Sequence, residues 1–394
     1  MNTKPSFFKT ACEDPFRIFF PPGLLVGIGG VMLWPLYFAG VHQFYPGTMH
    51  ARLMIEGCLG AFVFGFLGTA GPRLTDTAHF SATELRWFLG LWVAVIASHI
   101  AERYWLGDTM FLVLLGSFVF RMGSRFLSST ELPPPGFALV GLGFVNGIVG
   151  TAMLVTSELG YLNARLAMLG STMLNEIFVL FLVLGVGSFL LPRFLQVPTT
   201  SPLGKSRSIP PSWKAQAKLA LLAGAVMTGL FGADVFLDYP RATALGRFAV
   251  ATAYLLSQVP LHRSKAPRVT ITRCLHLSTV LTVAGLLFPA IWPMQRVAGL
   301  HIIFIGGFAL ITFTVATRVV LGHGGFGHLF FKPLPFLFGT TLLLLSSMVL
   351  RIGGDFAAGI RGGTLSLASY LWMAGAALWA WRVLPKVRMT DTES

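Results

Sequence analysis

The strongest constraint on this chain is a series of about twelve apolar runs, each long enough to cross, or nearly cross, roughly 30 Å of hydrocarbon. They lie approximately at Phe19 to Val41, His50 to Gly71, Leu85 to Ala101, Thr109 to Leu127, Phe137 to Ser157 and Gly170 to Leu191, then at Ala215 to Phe236, Thr243 to Leu261, Cys274 to Trp292, Val297 to Leu321, Pro333 to Leu350 and Gly363 to Leu384. Inside a bilayer no water satisfies the backbone, so only helices or a closed barrel can span it. These runs are rich in Leu, Ala and Gly and do not alternate with polar residues. They therefore read as helices, and the fold class is all-α, a polytopic transmembrane helical bundle. Composition agrees, with 54% of residues apolar and 11% charged. A soluble chain could not hide that much apolar surface.

The loop charges set the orientation. With the N-terminus inside, the inner loops collect about 21 Lys and Arg and the outer loops about 8, which is a positive-inside bias. An even helix count with both termini cytoplasmic follows. The longest polar stretch, Gln196 to Ser212, is rich in Pro, Ser and Thr. It reads as a cytoplasmic linker. The expected organisation is an N-terminal six-helix half over 1–192, a linker over 193–214 and a C-terminal six-helix half over 215–394, within one membrane domain.

The net charge of +14 fits those basic inner loops. No basic stripe interleaves with aromatics, which argues against nucleic acid. Cys12, Cys58 and Cys274 are far apart in sequence and form no CxxC, so neither structural zinc nor a disulfide framework is expected. Cys58 and Cys274 should pack as small apolar residues. Met1 to Arg17 lacks the apolar segment and cleavage site of a signal peptide, so the first run should stay as an anchor.

Ionisable groups inside a membrane are costly, which makes each a candidate. His42, His50, His99 and His301 fall near the outer face, and His79, His262, His276, His323 and His328 near the inner. Interfacial roles are expected for His42, His79, His99, His262 and His328. The candidates to point inward are His50, His276, His301 and His323, and neutral imidazole suits haem iron or copper. His301 and His323 bracket one helix roughly 33 Å apart, so they cannot share one metal. Glu56, Glu176 and Asp234 form a candidate proton path or polar cluster. Their alternative is a packing contact, with Arg52 and Arg318 as available partners.

Trp-Pro occurs at Trp34-Pro35 and Trp292-Pro293, each followed by a Gly-containing segment and then a histidine, His50 or His301. The pattern suggests a faint internal repeat in which these two histidines hold equivalent places and could form one axial pair. The Gly-rich loop from Gly322 to His328 lacks the Lys and the strand–helix setting of a phosphate loop. It reads as backbone holding His323 near the membrane edge. The sequence carries no Ser–His–Asp order, HExxH motif or dinucleotide fingerprint.

Two patches resemble the NnrS family of bacterial haem- and copper-containing membrane proteins linked to nitric oxide stress. The first comprises Asp14-Pro15-Phe16-Arg17, Phe19-Phe20, His50-Ala51 through Gly65-Phe66-Leu67, Thr69-Ala70 and Pro72. The second comprises His301, Gly306, Thr314, Ala316, Thr317-Arg318 and Leu321-Gly322-His323. His276 and the stretch from Gly187 to Pro192 resemble it too. The family's usual His-Ala-His-Glu-Met reads His50-Ala51-Arg52-Leu53-Met54 here, and its Thr-Gly-Arg reads Gly324-Gly325-Phe326.

The resemblance implies a bacterial inner-membrane protein that binds haem, with copper a further candidate, and supports tolerance of nitric oxide or a related small molecule. By the same resemblance His50, His276, His301 and His323 are the ligand positions, His50 and His301 foremost for a metal. Arg318 would be their supporting or propionate partner. Two other classes fit the residues alone. One is a proton-coupled secondary transporter, suggested by the six-plus-six split. The other is a cofactor-free scaffold or assembly protein whose histidines are interfacial.

Overall fold

The computed structural model describes residues 7–129, 131–197, 209–259 and 263–389. Its regular structure is all helical. A short helix, α1 (Phe7–Glu13), precedes twelve of spanning length: α2 (Phe16–Phe38), α3 (Gly47–Thr75), α4 (Ala82–Ile100), α5 (Tyr104–Ser128), α6 (Phe137–Glu158) and α7 (Ala164–Phe194). The series continues with α8 (Pro211–Leu237), α9 (Pro240–Gln258), α10 (Thr270–Ile291), α11 (Pro293–His323), α12 (Pro335–Phe356) and α13 (Arg361–Val383). Among the described residues nine of these are long and apolar enough to cross a membrane. The other three, α4, α9 and α13, have comparable length but a more polar sequence. Each expected apolar run thus has its helix, and the chain is a multi-pass membrane protein.

Local chemistry explains the helix ends. Proline opens α8, α9, α11 and α12, where its missing N–H costs nothing. Ser81 and Glu84 form a reciprocal capping box at the start of α4, and the Asn163 side chain accepts from Leu166 N–H to start α7. Two connections are tight. Glu102, between α4 and α5, and Asp238, between α8 and α9, both take left-handed backbone (φ 57° and 56°). Half of the expected 193–214 linker, residues 198–208, lies outside the described residues, and Pro211 and Ser212 already belong to α8.

Three helices are not uniform. α3, α7 and α11 each wind as a π-helix for one to two turns, at Leu53–Leu59, Met173–Phe178 and Ile302–Ala309. The wider winding follows His50 and Arg52 in α3 and His301 in α11, and it contains Glu176 in α7.

The chain forms two compact units. The first comprises residues 1–27, 51–185 and 200–221, and the second 28–50, 186–199 and 222–394. In the first, fully buried Phe64, Phe88, Phe111 and Phe118 interlock, with Phe64 and Phe118 centroids 5.1 Å apart. In the second, buried Trp379 stacks on Phe313 and donates to Thr317 Oγ1 at 2.8 Å.

Candidate functional site

Two constellations of ionisable side chains stand out, one in each unit. In the first unit, α3, α4 and α5 bring together Arg52, Glu56, His99 and Asp108. Glu56, His99 and Asp108 are fully buried, and Arg52 is 4% exposed. Arg52 grips Asp108 bidentately, Nε on Oδ1 at 2.7 Å and Nη2 on Oδ2 at 2.8 Å. The same Nε lies 3.3 Å from Glu56 Oε1. His99 Nε2 lies 2.9 Å from Glu56 Oε2 and 3.9 Å from Asp108 Oδ1.

Backbone geometry delivers these groups. Arg52 and Glu56 are successive members of one helix face, and Glu56 sits in the π-wound turn. The tight α4–α5 turn returns the chain so that His99, near the end of α4, and Asp108, in the second turn of α5, meet. Gly107 makes room, because a Cβ there would stand 2.3 Å from His99 Cε1. Among the described residues His99 Nδ1 has no hydrogen-bond partner. Ligand atoms of Glu56, His99 and Asp108 all lie within 4.8 Å of one another, close enough to share a metal ion.

In the second unit, His50 Nδ1 donates to Gly30 O at 2.9 Å, and His301 Nδ1 to Val297 O at 2.8 Å. A carbonyl can only accept, so in each ring Nδ1 carries the hydrogen and Nε2 keeps its lone pair. His50, His301 and Arg351 lie within electrostatic reach of one another. Trp34 meets the His50 ring edge-on at 5.9 Å. Arg351 Nη1 is 2.9 Å from Asp355 Oδ1, and Arg361 Nη2 is 3.4 Å from the same oxygen. Among the described residues Arg351 Nη1 nevertheless has no aligned acceptor and is buried.

Of the other expected site residues, His276 and His323 donate from Nδ1 to Thr272 O (2.7 Å) and Val319 O (2.9 Å). Among the described residues Arg318 has no carboxylate partner; its guanidinium is sandwiched between Phe194 and Phe330, at 4.1 and 4.2 Å. Asp234 accepts from Thr243 Oγ1 (2.8 Å) and Arg247 Nη1 (2.9 Å), a pair tying α8 to α9. Glu176 lies in the π-wound turn of α7, where its neighbour Asn175 donates to Ser171 Oγ at 2.9 Å. Glu56 and Asp234 thus have separate partners.

Of the histidines expected at interfaces, His42 packs on Phe44, and its ring nitrogens face the carbonyls of Leu33 and Phe44. His79, in the α3–α4 loop, is held below the ordinary histidine range by burial and then by the Arg73 guanidinium. His328 is exposed, and His262 lies outside the described residues. His99 departs from expectation, since it is fully buried. The sequence reading missed Asp108 because the fifth helix begins at Tyr104, not Thr109. Its signal was a lone carboxylate at the edge of an apolar run. The three cysteines are free, with Cys58 and Cys274 buried as expected.

Residues 11–389 match the sequence family described as NnrS protein. No curated protein matches the chain.

Proposed function

The chain belongs to the NnrS protein family, and on that premise we propose that it binds haem, with copper a further candidate, in a bacterial inner membrane and supports tolerance of nitric oxide or related nitrosative stress. The observation that supports the proposal is that His50 and His301 lie in one unit within electrostatic reach of each other. Both rings are fixed through Nδ1 by a backbone carbonyl, which leaves Nε2 as the ligating atom. Such outer hydrogen bonds orient metal-binding imidazoles and raise their basicity. Trp34 holds the His50 ring from the side.

Haem also carries carboxylates, and the donor set suits them. Arg351 and Arg361 share the single carboxylate of Asp355. That leaves one positive charge over, and Arg351 has a buried nitrogen without an aligned acceptor. Guanidinium is the side chain best shaped to hold a carboxylate at two points. Arg318, expected in that role, is instead held between two rings. It remains assigned to the other end of α11, beside His323, while His276 and His323 stand as secondary ligand positions. A bound haem would supply an iron centre able to take a small diatomic ligand. The protein's contribution is to hold the ring nitrogens, balance carboxylate charge and exclude water.

The test is an absorption spectrum with metal analysis of the full chain purified in mild detergent. A haem Soret band that weakens in His50→Ala and in His301→Ala is the expected result. Absence of iron and copper after haem supplementation, or a band undiminished in both variants, overturns the proposal.

A further inference from the structure

The cluster at Arg52, Glu56, His99 and Asp108 is not used by the reading above, and its charges do not balance. Arginine stays protonated in proteins. Two carboxylates face it, and the next carboxylate within electrostatic reach of Arg52, Glu158 at the end of α6, adds negative charge. With a neutral His99 the buried four carry one net negative charge. In a membrane interior such a charge must be neutralised.

What neutralises it can be argued from the geometry. A divalent ion would leave the cluster with one net positive charge. It would also have to displace a guanidinium, because Arg52 Nε stands 2.7 Å from Asp108 and 3.3 Å from Glu56. A proton leaves the four neutral. Asp108 is a poor place for it, since both its oxygens accept from Arg52. The other carboxylate is Glu56, whose Oε2 lies 2.9 Å from His99 Nε2.

We propose that Glu56 and His99 share one exchangeable proton, making this cluster a proton-binding site, with His99 Nδ1 as the atom through which the proton enters and leaves. His99 bridges two settings. Nε2 is committed to Glu56, while Nδ1 is buried and without a partner. An imidazole that receives a proton on one nitrogen releases one from the other. A proton arriving at Nδ1 therefore lets Nε2 pass its own to Glu56 Oε2. Only N–H and O–H bonds change; the proton comes from water and returns to it, and no electron moves. Tyr104 of α5 stacks on the His99 ring with centroids 6.1 Å apart, and Glu102 and Glu158 lie within electrostatic reach of Tyr104. Gly107 of the same helix leaves space for the ring.

The experiment is infrared spectroscopy of the full chain in lipid nanodiscs at neutral pH, in water and deuterium oxide, without haem or added metal. One isotope-sensitive signature is expected, either a protonated carboxyl of Glu56 or an imidazolium of His99. It should vanish in Glu56→Gln and persist in Asp234→Asn. If Glu56→Gln does not fold, carbon-13 glutamate and nitrogen-15 histidine in the unmutated chain decide through the label-shifted bands. Absence of both signatures, or their persistence in Glu56→Gln, overturns the proposal. So does retention of one equivalent of Zn²⁺ or Mn²⁺ on dialysis that is lost in Glu56→Gln, which would make the cluster a metal centre. Because no haem is needed, the outcome does not depend on the His50–His301 reading.

Discussion

Arg52 and Asp108 hold each other through two short hydrogen bonds, away from water. Removing one member strands the other. Breaking a buried pair typically costs about 3–5 kcal/mol, whereas replacing both members by apolar residues is often neutral or stabilising. Arg52→Gln should therefore lower the melting temperature in detergent sharply, and the double variant Arg52→Met/Asp108→Leu much less. Equal losses in the two would mean that the pair is not what holds α3 to α5. Gly107→Ala should also be damaging, by about 1–3 kcal/mol of overpacking, because the added methyl meets the His99 ring. Differential scanning of that variant checks the figure. At this scale the sequence was only partly readable. The Arg52–Glu56 contact is visible in i, i+4 spacing, but the union of His99 with Asp108 depends on a three-residue turn with Glu102 in left-handed backbone. No pattern of apolar residues announces that turn.

Elements add a second kind of information. Every fourth helix, α3, α7 and α11, contains a π-wound segment, and such segments occur often at functional sites. The Trp-Pro repeat points to α3 and α11; α7 shares the winding without the histidine. Each π turn shifts the residues before it relative to those after it. Deleting one residue from Ile302–Ala309 should let α11 wind regularly and shift His301 relative to the rest of the helix. The expected outcome is loss of haem binding with the fold retained, read by absorption and by circular dichroism. Helix contact is set by small residues, as in other membrane bundles. A Cβ at Gly150 of α6 would stand 2.7 Å from Gly170 O of α7. Gly150→Val should force the two backbones apart and destabilise the first unit by about 1–3 kcal/mol, measured as a drop in melting temperature.

For the whole molecule, apolar run length gave the twelve spanning-length helices, because lipid imposes one solution on the backbone. What the runs do not encode is which charges stay in the loops. Arg52, Arg247 and Arg351 lie near the ends of apolar runs and count among the outer charges, yet all three are buried inside helices and paired with Asp108, Asp234 and Asp355. The excess of basic residues on one side survives their removal and predicts both termini in the cytoplasm. A fluorescent protein fused to the C-terminus should then fluoresce in bacterial cells, and an alkaline phosphatase fused there should stay inactive; the reverse pattern would invert the topology.

The Arg52–Asp108 pair also has a consequence for biogenesis. Its members are 56 residues apart in the chain. At ribosomal rates of about 5–20 residues per second, Arg52 is made roughly 3–11 s before its partner. During that interval Arg52 has only Glu56, four residues along the same helix, as a partner, and the entry of either charged side chain into lipid costs on the order of 2.5–3.5 kcal/mol. Release of α3 into lipid on its own is thereby disfavoured, and the insertion machinery should hold it until α4 and α5 have followed.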